Sequence, residues 1–326
     1  MGLLAVIALL LGLIIALLPE PVDRDEPVTY DAYDFSAPDA PHASTPPTDP
    51  PVERPPRPGA DTETGADAAP SAVPQPPDGS GPEELWWLPA ATVPPDLRGP
   101  LVLVLDDAGN SLDAYDRFLR FPGPMAVSVL PQLDYSVQAA ALAAAAGKEI
   151  MLHQPMEALR GADPGLGSIG PADPSGTIAA TIRENLRTVP GAIGVNNHMG
   201  SLATTDTRLM RTVLTTLHER GLFFLDSRTS ADTVGRSVAA EVGIPFAERA
   251  VFLDNWRTRE SILSALGHAL ELSQRGEPVV MIGHVTVPLL AEILLEVYPV
   301  LEAHGYRFVP VSRLVRPVNI AGGGEG

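Results

Sequence analysis

The most constraining feature of this chain lies beyond residue 100. There short apolar runs alternate with amphipathic stretches, and most runs end in a charged, imidazole or amide side chain. The runs are LVLVLDD (101–107), MAVSVLP (125–131), EIMLHQP (149–155), AIGVNNH (192–198), LFFLDSR (222–228), AVFLDN (250–255), PVVMIGH (278–284) and RFVPVS (307–312). Unbroken apolar runs of this length suit strands buried on both faces, the mark of a parallel sheet covered by helices. The intervening stretches have helical periodicity. They include SVQAAALAAAAG, TIAATIRENLRTV, DTRLMRTVLTTLHERG with Gly221 placed to end it, and VPLLAEILLEVYPVLEAHG ending at Gly305. Seven or eight such units in about 215 residues point to an α/β chain closed as a (β/α)7-8 barrel more than an open sheet. A doubly wound open sheet is the alternative.

The chain ahead of this domain is of another kind. Leu3 to Leu18 is a run of sixteen apolar or glycine residues, close to the lower length for crossing a bilayer, about 17 residues. Residues 1–18 are therefore expected to form an N-terminal membrane anchor or signal segment; the absence of a basic leader and of a small-residue cleavage site favours an uncleaved anchor. Residues 19–96 read as a disordered linker, since 21 of the 35 prolines fall in residues 19–100 together with 16 Asp/Glu against 4 Arg. Trp86-Trp87-Leu88 interrupts that composition and is expected to dock on the domain that follows. The domain itself is assigned to residues 97–317, and 318–326 to a flexible tail. The formal net charge of -18 excludes a basic nucleic-acid face. With no cysteine, any metal site must use His, Asp or Glu.

Polar residues gather where each strand ends. Asp106-Asp107 closes the first run, His153 the third with Glu157 four residues on, and Asn196-Asn197-His198 the fourth. Asp226 with Arg228 closes the fifth, Asp254-Asn255 the sixth and His284 the seventh. In parallel α/β folds this edge carries the active site. One carboxylate there is a common helix cap and one histidine a common buried residue, but an acidic pair with two imidazoles at one edge points to a metal or acid–base site, two imidazoles and one carboxylate being a recurring ligand set for a catalytic divalent ion. His42, His218, His268 and His304 fall elsewhere and read as solvated or packing residues. Gly165-Leu166-Gly167-Ser168-Ile169-Gly170 matches a dinucleotide fingerprint in letters only, because it sits in a Pro/Gly-rich loop. No phosphate-binding lysine motif or serine-hydrolase elbow is present, and Ser201 reads as a helix cap. No nucleotide is expected as a ligand.

At LVLVLDDAG, AVSVLP, GKEIMLHQPME, GVNNHMGS, FLDSRTS, VFLDN and MIGHV, over about residues 99–316, the chain resembles the divergent polysaccharide deacetylase family. These are distant relatives of the metal-dependent polysaccharide deacetylases. The resemblance implies a distorted barrel and metal-assisted hydrolysis of N-acetyl groups on a cell-envelope polysaccharide. It implies Asp106 as general base, Asp107 as metal ligand and His284 as general acid. Where those deacetylases have H-x-x-x-H, this chain has His153-Gln154-Pro155-Met156-Glu157, so His198 is expected to supply the second imidazole. The expected cofactor is a divalent ion, zinc, on Asp107, His153 and His198. Asp226 is expected to keep His284 charged, and Glu157, Asn197 and Arg228 to support the site or contact sugar; Asp254 reads equally as a structural strand end. The competing reading is a catalytically inert glycan-binding or envelope-scaffold module on a membrane tether. Both place the domain outside the cytoplasm, with a polysaccharide or glycan as partner and the membrane reached through the N-terminal helix.

Overall fold

The computed structural model describes residues 85–317. The expected anchor at 1–18, the linker up to residue 84 and the tail at 318–326 lie outside the described residues. Among the described residues, no helix is long and apolar enough to cross a membrane.

Seven of the eight expected strands form: β1 (Leu101–Ala108), β2 (Ala126–Val129), β3 (Glu149–Met156), β4 (Gly194–Met199), β5 (Phe223–Asp226), β7 (Val251–Phe252) and β8 (Val279–His284). The eighth does not. Residues 307–312 touch β1 through a single bridge between Leu101 and Phe308. Pro310 then caps a one-turn helix, Val311–Leu314, because its fixed φ and missing N–H suit a helix start and not a ladder. Two strands were not legible as apolar runs: β6 (Pro245–Glu248), which opens on a proline, and the two-residue β9 (Arg316–Pro317). The larger helices are Ser136–Ala145, Ser175–Thr188, Thr207–His218, Gly235–Val242, Arg259–Ser273 and Pro288–Ala303. The one at Thr207 is capped by Asp206, whose carboxylate accepts from the Leu209 N–H at 2.6 Å. Ser201, expected as a cap, instead accepts from the Leu159 N–H at 2.9 Å.

The strands form one sheet in the order β7-β8-β1-β2-β3-β4-β5-β6-β9, with eight parallel strands and β9 antiparallel on β6. It curls as an open barrel: β8 pairs with β1, the edge strands are β7 and β9, and the successive strands β6 and β7 share no ladder among the described residues, which leaves a seam where the chain passes from one to the other. The chain itself spans that seam. The Arg249 N–H donates to the Asp226 carbonyl at 2.9 Å, and the next N–H, of Ala250, donates to the Val280 carbonyl at 2.8 Å. The Arg249 side chain reinforces the crossing. Its Nε donates to the Ser227 carbonyl at 2.7 Å, its Nη2 to the Arg228 carbonyl at 2.9 Å, and the guanidinium lies 3.9 Å from the Phe252 ring centre.

Two apolar cores follow from strand alternation. One face of each strand packs against the helices, with Leu103, Leu105, Val127, Leu152, Val195 and Phe224 in that core. The other face fills the lower barrel with Val102, Val104, Ala126, Met151, Leu225, Val280 and Ile282. Val311 and Val315 of the C-terminal segment belong to this inner cluster and plug it. The N-terminal aromatic pair docks as expected. Trp87 is buried, Trp86 and Leu88 pack on the outer core, and a Cβ at Gly267 would come within 2.3 Å of the Trp87 carbonyl oxygen.

Removing the seam clamp should be measurable. Arg249→Ala strips two carbonyls of their donor and is expected to cost about 1–3 kcal/mol in chemical denaturation, with the helical circular dichroism of the native state unchanged.

Candidate metal centre

Alternation carries the polar residues to one end of the barrel interior. Val102 and Val104 face inward on β1, so Asp106 does too; Met151 on β3 is followed by His153, and Val280 and Ile282 on β8 by His284. Asn196 and His198 share the inward face of β4. Asp107 breaks the rule. The β1–β2 register slips between Leu105 and Ala108, and Asp107 takes φ 66°, a left-handed conformation that Asp tolerates better than most residues. This turns two successive carboxylates toward the same space. Met199 and Arg228, at the ends of β4 and β5, are also left-handed, at φ 52° and 50°. Such backbone concentrates at functional edges.

Three donor atoms meet there. Asp107 Oδ1 lies 3.1 Å from His198 Nδ1 and 3.3 Å from His153 Nε2, and the two imidazole nitrogens are 3.2 Å apart. Ligands about 2.0–2.1 Å from a tetrahedral ion stand about 3.3 Å from one another. The triangle therefore has the spacing of three ligands of one zinc-sized ion. Asp107 Oδ1 is buried without a well-directed hydrogen bond, as expected of an oxygen built to take a cation. His153, His198 and Asp107 form the potential metal-holding group found among the described residues.

The neighbouring acids and imidazoles shift one another's protonation. Burial alone would raise the Asp107 carboxyl, but the imidazoles of His153 and His198, with charge from His284, hold it well below the usual 3.8. Burial would lower His153, and the charges of Asp106 and Asp107 outweigh that and raise it. Asp106 is buried and close by, its Oδ2 being 3.6 Å from His153 Nε2. On the adjacent strand, in register with Asp106, stands His284. Its Nδ1 is 2.9 Å from Asp254 Oδ1, and its backbone N–H donates to Asp254 Oδ2 at 2.7 Å. Burial opposes the charged ring, yet this carboxylate and the charges of Asp107 and Asp106 push its pKa up to about 9. Phe252 stacks on the ring at 5.8 Å between centres.

The expected helpers fall differently. Asp226 does not partner His284. It is buried toward the helices, accepting from Thr233 Oγ1 at 2.6 Å and from the Arg228 N–H at 2.7 Å, while burial raises its pKa. Asp254 takes the role given to it. Asn197 faces away from the triangle, accepting from the Ser227 N–H at 2.9 Å and donating to the Met199 carbonyl at 2.7 Å, so it braces the β4 and β5 ends. Glu157 does not join the metal-holding group; its side chain lies against Gly170, where a Cβ would meet Oε2 at 2.1 Å. Arg228 is exposed beside the site. The sequence gives no sign of Ser227 or Phe252 as site residues, and it shows Asn196 only as part of the polar end of β4. Alternation from His198 alone would have found Asn196. The loop carrying Gly165–Gly170 is tied to β3 by Gln154 and to the helix Ser175–Thr188 by Asn185, both donating to the Gly167 carbonyl, at 2.9 and 2.8 Å. His218 and His268 are exposed on helices, and His304 is exposed at the C-terminal cap of Pro288–Ala303.

A barrel of this shape with an Asp–His–His triangle at its open end defines a class, and sequence comparison supplies the family. A model of the divergent polysaccharide deacetylase family matches residues 103–315, and the chain belongs to that family. It is 32% identical over 208 residues to the uncharacterized protein YibQ of Escherichia coli strain K12, covering 63% of this chain and 65% of that one. An uncharacterized protein of Haemophilus influenzae is 32% identical over 194 residues, covering 57% of this chain and 67% of the relative. The chain thus spans about two thirds of the length of these relatives. The fold is shared with the crystal structure of uncharacterized protein ATU2773 from Agrobacterium tumefaciens C58, at a TM-score of 0.64 and 21% identity over 67% of this chain and 89% of that one.

Two measurements check this geometry. Equilibrium dialysis should find one zinc per chain, largely lost in His153→Ala and His198→Ala. His284 carries a folded pKa of about 9 above its ordinary 6.5. Its charged form therefore stabilises the fold fully below pH 6.5, and that contribution is lost as pH rises through about 9. Asp254→Asn should lower the denaturation midpoint at neutral pH, and lower it much less at about pH 10.

Proposed function

We propose that this protein is a metal-dependent hydrolase that removes N-acetyl groups from an amino sugar of a cell-envelope polysaccharide. The observation that carries the reading is a triangle of three ligand atoms flanked on one strand by a second carboxylate and on the next by a carboxylate-held histidine. Family membership supports the substrate class. A divalent ion such as zinc, held by Asp107, His153 and His198, would polarise the acetamide carbonyl and acidify a bound water.

The chain's own residues do the proton work. Asp106 is placed to take the proton from the attacking water through Oδ2. Its other oxygen accepts from Asn196 Nδ2 at 2.9 Å. His284 is placed to deliver a proton to the departing nitrogen, as the C–N bond breaks and acetate leaves. Its Nδ1 is engaged by Asp254, which leaves Nε2 to donate, and its raised pKa keeps the ring charged at neutral pH. The two groups sit on neighbouring strands in register, on the same inward face. The hydrophobic run Leu3–Leu18 and the Pro-rich acidic segment after it support an extracytoplasmic domain on a membrane tether, with reach into a polymeric substrate.

Acetate release from peptidoglycan, chitin oligomers and other N-acetylated glycans tests the proposal. Zinc-loaded protein should release acetate, with activity falling as pH rises through about 9 and His284 loses its charge. Asp106→Ala should lose turnover by about 10²-fold or more while retaining zinc. Glycan binding without acetate release from a zinc-loaded chain would favour the inert tethered module.

A further inference from the structure

Asn196 is fully buried in the polar layer, where its amide lies between Asp106 and His153. Its Nδ2 is 2.9 Å from Asp106 Oδ1 and 3.3 Å from Ser227 Oγ, and its Oδ1 is 2.9 Å from His153 Nδ1. The orientation of the amide follows from elementary donor and acceptor logic. A carboxylate only accepts, so the amide nitrogen faces Asp106. The amide oxygen is then left facing His153, and because that oxygen also only accepts, the hydrogen between them belongs to Nδ1. Nε2 is consequently the nitrogen presented to Asp107 and His198, at 3.3 and 3.2 Å.

We propose that Asn196 is a positioning residue which fixes His153 as the Nδ1–H tautomer, with Nε2 turned to Asp107 and His198, where a metal would be held, and at the same time engages Asp106 Oδ1 so that Oδ2 is the oxygen left to react. A neutral amide is suited to this double task. It can donate to a carboxylate and accept from an imidazole at once, which neither a carboxylate nor a guanidinium can do. Outer partners of this kind orient metal-binding imidazoles generally. The ring-orienting half of the assignment stands on hydrogen bonding alone; the half concerning ion affinity and Asp106 rests on the hydrolase reading.

The test compares the full chain with Asn196→Asp and Asn196→Leu. Histidine is labelled with nitrogen-15 and His153 Nδ1 and Nε2 are assigned in metal-free protein, at a pH high enough to neutralise the ring. Zinc affinity is then measured by chelator competition. The parent should show Nδ1–H. Asn196→Asp keeps an acceptor for that hydrogen, so it should keep the tautomer and hold zinc within about tenfold of the parent, while losing turnover because it no longer donates to Asp106. Asn196→Leu should show mixed tautomers and bind zinc about 10–100-fold more weakly. An Nε2–H tautomer in the parent, or parent-like tautomer and zinc affinity in Asn196→Leu, overturns the assignment. Should Asn196→Leu fail to fold, the parent's tautomer and Asn196→Asp still decide. A parent that binds no zinc overturns the metal-dependent reading instead, and the tautomer alone then decides what Asn196 does.

Discussion

An extended strand sends consecutive side chains to opposite faces, and the polar layer of this barrel depends on one departure from that constraint. At the end of β1 the ladder slips by one step and Asp107 adopts a left-handed backbone, so Asp106 and Asp107 both face the open end. Without the slip, Asp107 would point toward the helices, His198 would lose the carboxylate 3.1 Å from it, and Asp106 would be the acid left beside His153. A non-glycine residue held in this conformation costs of order 1–3 kcal/mol, sustained by the surrounding structure. Here the surroundings are well suited to sustain it: β1 is flanked by β2 and β8 and is buried along almost its whole length.

Because the lower barrel is filled by aliphatic side chains and plugged by Val311 and Val315, the polar residues form a layer with apolar material beneath and solvent above. Low polarity below strengthens every charge interaction in that layer, and the groups accordingly hold one another in charged forms. Asp107 is pulled down by its histidines, and His153 and His284 are pulled up by their acids. An isolated charge in this position would be costly; a set of alternating acids and imidazoles is not. The arrangement separates into a three-ligand group, a flanking carboxylate and an Asp254–His284 pair, linked by the amide of Asn196 and by the strand register.

Much of this was legible residue by residue. Asp106, Asp107, His153, His198 and His284 all end apolar runs, and a parallel sheet must bring such ends together. The choice among neighbours was less legible. Asn196 and Asn197 are the same residue type, and only alternation with His198 separates the one on the inward face from the one that braces the Ser227 turn. Asp226 and Asp254 likewise both end strands. Asp226 sits on the helix-facing side of β5 and caps its own loop, whereas Asp254 reaches the backbone and ring of His284 from the β7 side of the seam. That seam depends on β6, a four-residue strand opening on Pro245 that has no apolar run to announce it.

The sequence by itself determined the class of fold and the residue types available for chemistry. Long two-sided apolar runs can be buried only in a helix-covered parallel sheet, and a cysteine-free chain leaves only carboxylates and imidazoles to hold a metal. Tertiary structure alone decided which of those residues meet. Strand register, the slip at Asp107 and the crossing at Arg249 are set by packing and hydrogen bonds between segments far apart in the chain. A shift of one residue in any of them would turn the same side chains to the other face.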